Sequence, residues 1–560
     1  MARSELTIMI GGEAGQGLVT IGQVLATTLT RAGYHIVVGQ SYMSRIRGGH
    51  NTYSIRAAVG PIAAQREGVD ILVALDQNTL SVHEAELRPG ALVLADTGLS
   101  CGLSQCLSIP YKELAAARYE NTVALGVAAS LMGLDKAVVH EQLAHSLKKQ
   151  PDEVIAANAQ ALDAAWDWAQ TNHPAFDGLA PTQAQAERLL MGGNDAIALG
   201  AMSAGVKFCA FYPMTPATSI ALNLAAHAKK MGLVVEQAED EIAAINMAIG
   251  ASFAGAPAIV STSGGGFALM GEGVSLAGMT ETPLVIAVIQ RPGPATGLPT
   301  RTEQADLELT LYAGHGEFPR AILAPGSVEE CFHLTRKAFF LAEQSQGPVF
   351  ILGDQYLADS LRAVEPFALD GLEPVRAGLR QPGLGRAYQR YAIDASGVSP
   401  RALPGFGPEL VVADSDEHTA DGHITEDLAV RVQMAEKRMR KLAILAEAVI
   451  APSFEGPAEA ELLLACWGSA KGPVREAAQE LRQAGRSVAT CHFSQVWPLV
   501  GDKFLERFRQ AGRVVMVEGN LTGQLAGLIR RETGFEVGRI VPRYDGLPLT
   551  PEYILRELQA

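Results

Sequence analysis

Ala256–Ser263 reads APAIVSTS, an apolar run with no polar alternation, and it passes directly into GGGFALMGEG (Gly264–Gly273), glycines and then a helical segment. A strand that is apolar on both faces belongs in a parallel sheet covered on both sides. Three neighbours repeat the pattern: FCAFYP (Phe208–Pro213), PLVIAVIQ (Pro283–Gln290) and PVFILGD (Pro348–Asp354), with helix-like sequence between them. Residues 186–365 therefore read as an open α/β sheet whose strand carboxyl ends converge on one crevice.

Outward from this region the chain divides further. Residues 1–180 alternate strand-like and helix-like segments, from LTIMI (Leu6–Ile10) and LVTIGQVLATTLTRAG (Leu18–Gly33) to DILVALD (Asp70–Asp76) and ALVLADT (Ala91–Thr97). The polar stretch TNHPAFDGLAPTQAQ (Thr171–Gln185) closes that region. Residues 366–455 lose the rhythm and read as a connector with one charged amphipathic helix, packing on a partner or on another domain. Residues 456–560 return to strand–helix alternation in AELLLACWG (Ala460–Gly468) and GRVVMVEGN (Gly512–Asn520). The fold class is α/β, built from several open parallel-sheet domains, and 560 residues accommodate three or four of them.

A formal net charge of −15 supplies no basic footprint for nucleic acid. No window is long and apolar enough to span a membrane, so a cytoplasmic protein is expected. The six cysteines nowhere adopt C-x-x-C spacing, so no zinc site or iron–sulfur cluster is expected on this chain, and each reads as a small buried residue.

Chemistry is concentrated at strand ends. In FYPMTPATS (Phe211–Ser219) two prolines stiffen a loop that presents Thr215 and Thr218. That suits substrate positioning, and it equally suits a plain turn with Thr218 as the helix cap. In VVEQAEDEIAAINMAIGASFAGA (Val234–Ala256), Glu239, Asp240 and Glu241 open a helix, where the helix dipole alone favours acids. The helix beyond Glu241 carries no charge and is expected to be buried, with Glu241 at the edge of a dry interface as an acid/base or hydrogen-bonding group. QRPGPATGLPTRTEQADL (Gln290–Leu307) adds Arg291, Thr300 and Arg301, and a guanidinium fork there suits a carboxylate.

Near the N-terminus, GGEAGQG (Gly11–Gly17) spaces Gly12, Gly15 and Gly17 unlike a dinucleotide fingerprint or a Walker loop. It either cradles an anion at a helix N-terminus or is a tight turn needing positive φ. SYMSRIRGGHNTYSIR (Ser41–Arg56) gathers Arg45, Arg47, His50 and Arg56 as an anion loop or as cations paired with neighbouring acids. The chain has no GDG followed by a downstream Asn, the stretch that carries the magnesium and diphosphate of thiamine diphosphate.

In combination, YPMTPATS, EDEIAAINMAIGAS, TSGGG and QRPGPATGLPTRTEQADL resemble the α subunit of 2-oxoacid:ferredoxin oxidoreductases, particularly the 2-oxoglutarate (KorA-like) branch. GGEAGQG and RGGHNTYSIR resemble that family's γ domain, here placed ahead of α. VEGNLTGQLAGLIRR (Val517–Arg531) resembles its transketolase-C-terminal-like domain. The resemblance implies that 186–365 is the pyrimidine-binding domain of a thiamine-diphosphate enzyme. Glu241 would then hydrogen-bond N1′ of the aminopyrimidine, with Tyr212 and Pro213 beside the cofactor. Thr215 and Arg291 would orient the 2-oxoacid, with Thr300 and Arg301 near it, and the loop of Gly12, Gly15 and Gly17 would meet coenzyme A or another anion. It further implies a β subunit, in an (αβ)2 assembly, that carries the diphosphate, Mg2+ and a [4Fe-4S] cluster. The implied reaction is coenzyme A-dependent oxidative decarboxylation of 2-oxoglutarate to succinyl-CoA, with ferredoxin as acceptor. Another 2-oxoacid (pyruvate, a branched-chain acid or indolepyruvate) and a non-catalytic nucleotide-binding assembly subunit are the competing readings.

Overall fold

The computed structural model describes residues 2–43, 49–103, 105–172, 176–183, 187–375 and 388–559. The chain packs as two compact units, one of Met1–Gly192 with Asp359–Phe367 and Thr550–Tyr553, the other of Gly193–Ala358, Ala368–Leu549 and Ile554–Ala560.

The first unit holds β1 (Glu5–Glu13), β2 (His35–Ser41), β3 (His50–Ala58), β4 (Val69–Ala74), β5 (Leu87–Asp96), β6 (Cys106–Ile109) and β7 (Leu189–Met191). β1, β4, β5 and β6 are parallel neighbours, as strand–helix alternation predicts. β3 instead pairs antiparallel with both β1 and β2, so only part of this sheet is the expected parallel one. The cause is local: only eight residues separate the end of β2 from the start of β3, and a parallel pair needs a crossover of a dozen or more. Leu6, Ile8 and Ile10 of β1 pack against Leu25 and Val127 of the covering helices, and this is where the unit's core sits.

The second unit contains β8 (Phe208–Phe211), β9 (Val234–Gln237), β10 (Ala258–Thr262), β11 (Leu284–Gln290), β12 (Ala321–Leu323) and β13 (Pro348–Asp354), ordered β12-β13-β11-β10-β8-β9 and all parallel. Every residue of β10, β11 and β13 is buried, which is why those segments read as unbroken apolar runs. β14 (Arg362–Val364) then returns to the first sheet, antiparallel between β2 and β7. The C-terminal part forms a third sheet from β15 (Ser453–Glu455), β16 (Leu462–Trp467), β17 (Val488–Phe493), β19 (Val514–Glu518) and β20 (Arg539–Pro542). Its remaining strand, β18 (Gln495–Trp497), joins the second sheet beside β12, so the two sheets share one unit.

The described part of the connector packs onto this second unit through charges. Its helix Leu428–Glu447 buries Lys437, Arg438 and Lys441, and Lys437 Nζ lies 2.7 and 2.8 Å from the two carboxylate oxygens of Glu281. Lys441 also pairs with Glu281, and Arg390 Nη2 donates to the Glu281 carbonyl at 2.7 Å. Burial would raise the Glu281 carboxyl, but Lys441, Lys437 and Arg390 overcome it and hold the group down at about 2. The outward face of the same helix is mixed, with Leu428, Val432 and Met439 exposed beside Arg431, Gln433 and Glu436.

Cys209, Cys331, Cys466 and Cys491 are buried and free, as expected of small apolar side chains. Cys101 and Cys106 depart from that expectation: they are bonded to each other, across the turn that leads into β6. No helix among the described residues is long and apolar enough to cross a membrane.

Candidate active site

Four loops at carboxyl ends of strands in the second sheet carry the candidate residues. The loop after β8 leaves Tyr212 and Pro213 exposed and Thr215 half-buried, with a cis Thr215–Pro216 bond. Asn194 fixes this loop from behind, its Nδ2 donating to Pro216 O and to Ser219 Oγ, both at 2.8 Å. The helix that follows begins at Thr218 itself; Ala217 holds the cap position, so Thr218 is not the cap.

The loop after β9 separates the three acids that open the next helix. Asp240 is the cap, accepting from Ala243 N at 2.7 Å, which leaves Glu241 free of that task. Glu241 is buried, and its Oε1 has no hydrogen-bond partner. The helix Glu241–Phe253 is only half sunk, contrary to the expectation of full burial. Ala244, Ile245, Ala248 and Ile249 face inward, while Ile242 and Met247 are exposed. One face suffices to cover the sheet, and the other stays open although it carries no charge.

After β10, Gly264–Phe267 forms one short helical turn. A Cβ at Gly266 would overlap Glu241 Oε1 and Thr262 Oγ1, and one at Gly264 would overlap the Asp306 carboxylate. A Cβ at Gly265 would stand 3.3 Å from Ala295 O, on the next loop. The three glycines are thus the floor on which Glu241, Asp306 and the 291–306 loop converge.

That loop follows β11. Arg291 Nη1 donates to Thr215 O at 2.7 Å, joining the two residues expected to meet one substrate. Burial lowers the Arg291 guanidinium and Asp306 opposes it; burial pushes the Asp306 carboxyl up to about 6 against the pull of Arg291. Thr300 and Arg301 lie further along, half-buried, where the Arg301 Cβ would stand 3.2 Å from a Cβ at Gly546. Gln304 then pins the loop to the third sheet, its backbone N–H donating to Gly519 O at 2.7 Å and its Oε1 accepting from Gly519 N at 2.8 Å. Arg291 is therefore held on Thr215 and feels the charge of Asp306, Glu241 and Asp306 flank the triglycine, and Arg301 lies against the Gly546 turn.

Asp306 and Gln290 are the participants that sequence reasoning missed. An aspartate just before LELTLY looks like an ordinary helix cap, and no spacing signal marks it otherwise.

In the first unit the glycine stretch is arranged differently from expectation. Gly11, Gly12 and Glu13 remain in β1, paired with Thr52, Asn51 and His50, so Gly12 is a strand residue and not part of the loop. Gly15 and Gly17 have φ of 104° and 76°, and Gly17 precedes the helix Leu18–Arg31 with no side-chain cap. Arg56 is buried and bound to Glu5 Oε2 and Ala64 O, both at 2.7 Å, which is the ion-paired alternative for that cation. His50 Nε2 lies 2.7 Å from His83 Nε2. Arg45 and Arg47 fall outside the described residues.

Two family models match the chain. Residues 199–437 match "Pyruvate flavodoxin/ferredoxin oxidoreductase, thiamine diP-bdg", and residues 7–168 match "Pyruvate ferredoxin/flavodoxin oxidoreductase". The α subunit of a 2-oxoacid:ferredoxin oxidoreductase from Sulfolobus sp is 31% identical, covering 97% of this chain and 95% of that one. The 2-oxoglutarate oxidoreductase subunit KorA of Mycobacterium tuberculosis is 29% identical over 99% of this chain and 91% of its own length. Among solved structures, the 2-oxoglutarate:ferredoxin oxidoreductase of Magnetococcus marinus, with 2-oxoglutarate, coenzyme A and succinyl-CoA bound, superposes with a TM-score of 0.93. It is 31% identical and covers 100% of this chain and 99% of that one. With the strand-end loops, the buried glutamate and these matches taken together, the chain belongs to the 2-oxoacid:ferredoxin oxidoreductase family, as an α subunit with a thiamine-diphosphate-binding domain.

Proposed function

We propose that the chain works on 2-oxoglutarate, converting it with coenzyme A to succinyl-CoA and carbon dioxide while two electrons pass to ferredoxin. The likeness to the Magnetococcus enzyme, whose bound molecules include 2-oxoglutarate and succinyl-CoA, supports this substrate. The name of the Sulfolobus relative specifies only a 2-oxoacid, which favours a broader range as the second reading. Residues 186–365 serve as the pyrimidine-binding domain in this reading, 1–180 as the γ-type domain, 366–455 as connector and 456–560 as the transketolase-C-terminal-like domain. A β subunit supplies the diphosphate site, Mg2+ and the [4Fe-4S] cluster, in an (αβ)2 assembly.

The single observation that carries the cofactor assignment is the bare Glu241 Oε1, a buried acceptor with nothing to accept from. A buried polar atom without a partner is costly, and a ligand donor is the usual remedy. The aminopyrimidine of thiamine diphosphate offers one when a proton is shared between its ring nitrogen and the carboxyl, and Tyr212 and Pro213 flank the loop it would reach. When bound, that cofactor supplies a nucleophilic carbon for the keto group and a sink for the electron pair released with carbon dioxide.

This chain's residues do the rest by holding and excluding. Glu241 holds or returns a proton at the ring nitrogen it meets. Arg291, itself anchored on Thr215 O, binds the α-carboxylate, and Thr215 orients the keto oxygen. Thr300 and Arg301 are assigned to the distal carboxylate, and the Gly15–Gly17 turn to an anionic group of coenzyme A. The test is coenzyme A-dependent reduction of a viologen dye by the chain co-purified with its partner, 2-oxoglutarate beside pyruvate. Activity with 2-oxoglutarate upholds the assignment; preference for pyruvate replaces the substrate; no activity with any 2-oxoacid, with thiamine diphosphate and magnesium supplied, refutes it.

A further inference from the structure

Asp306 stands immediately before the helix Leu307–Tyr312, where an aspartate ordinarily caps, yet its side chain caps nothing. Asp240 and Asp427, in the same position on other helices, both accept backbone N–H groups. The Asp306 backbone is held on every side: its N–H donates to Gln290 Oε1 at 2.9 Å, and its carbonyl accepts from Thr310 N at 3.0 Å. Gln290 is itself fully buried and donates to Gly353 O at 3.0 Å, while Gln524 Nε2 donates to Ala305 O at 2.8 Å. With the main chain fixed, Asp306 Oδ2 is left buried and without a partner, in the space that a side chain at Gly264 would fill. Two bare carboxylate oxygens, of Glu241 and Asp306, therefore flank one triglycine.

We propose that Asp306 is a positioning residue acting through Arg291: ionised, it balances the guanidinium before substrate arrives, and it takes one proton from solvent when a 2-oxoacid carboxylate comes to lie on Arg291. The inference rests on the reading that Arg291 meets that carboxylate. A second carboxylate brought to the same guanidinium repels the first, and the two are accommodated when one becomes neutral. Asp306 is the one whose surroundings already favour neutrality, because burial outweighs Arg291 there. Of the other charged groups around it, Glu303 is on its own loop, raised by burial and then by Asp306. Glu308 lies on the helix that follows, and Asp354, at the end of β13, accepts from Leu357 N at 3.0 Å. Glu241 lies across the triglycine, which contributes no charge of its own. The only covalent change is the O–H bond formed on Asp306, with the proton drawn from solvent. The neutral carboxyl then has a donor to offer the bound substrate.

The test uses the reconstituted complex and two variants. KM for whichever 2-oxoacid turns over should rise in the wild type above the Asp306 titration, approaching about tenfold per pH unit, and should be flat between pH 6 and 8 in D306N, which cannot titrate. A merely structural Asp306 would change kcat at every pH and leave the slope intact, and that result overturns the proposal. Calorimetry with N-oxalylglycine, in buffers of different ionisation heat, should show uptake approaching one proton per site in the wild type and none in D306N; equal uptake overturns the proposal without reference to turnover. R291K separates the two layers. If it raises KM while D306N keeps the wild-type slope, only the Asp306 inference fails. If it leaves KM unmoved, the reading of Arg291 fails and this inference falls with it.

Discussion

Gly15 and Gly266 both lie just beyond the carboxyl end of a strand that runs into a helix, β1 in one unit and β10 in the other. A Cβ at Gly15 would meet nothing within 4 Å, but its φ of 104° is one that side-chain-bearing residues avoid. Gly266 has an ordinary helical backbone, and a Cβ there would overlap Glu241 Oε1. The first glycine is required by the shape of the main chain, the second by a carboxylate occupying its space. Only the second kind of requirement points at chemistry, and a string of letters shows both alike.

Four experiments put that contrast to the test. The largest effect is expected from E241Q, which keeps the shape and removes the proton-holding group: dye reduction by the complex should fall by about 100-fold or more at unchanged thermal midpoint, and a loss of under tenfold would remove Glu241 from its role. Next is G266A, where the added methyl group displaces Glu241; a shift of about 1 Å can cost on the order of 100-fold in rate, so turnover near wild type would show that the close approach has no catalytic meaning.

The third is a matter of pH. Burial raises the folded-state Asp306 carboxyl from 3.8 to about 6, so the folded protein binds more protons than the unfolded chain across that window. Stability contributed at this site is then highest below the ordinary value, falls as pH rises to about 6, and stays at the lower level above it. D306N removes the loss and should be more stable than wild type at pH 7 by on the order of 1–2 kcal/mol, with no advantage below pH 4 in denaturant titrations. The smallest effect belongs to G15A, which should cost about 1 kcal/mol through backbone strain alone. A G15A chain that loses 2-oxoacid turnover as completely as G266A would erase the distinction.

Legibility followed burial. β10, β11 and β13 could be read directly because both faces of each are covered, and the loops holding Thr215, Glu241 and Arg291 follow from where such strands end. The antiparallel β2–β3 pair was not legible because the basic stretch Ser41–Arg56 reads as an anion loop, whereas its residues from His50 onward lie in β3. β14 and β18 are three residues long and leave no period to detect. The connector helix reads as amphipathic and charged, but its Lys437 and Lys441 point inward to Glu281, which is 156 residues from Lys437 in sequence. Asp306 was hidden for the opposite reason, because its local context is so ordinary.

β14 also has a consequence for biosynthesis. The first sheet ends in the order β3-β2-β14-β7, so β7 reaches β2 only through a strand that is translated after the whole of β8 to β13. At about 5–20 residues per second the ribosome needs on the order of ten seconds or more to deliver it. Until then the edge of β2 stays open to other chains, so a nascent chain halted before Arg362 is a hazard to its neighbours and not a smaller working protein.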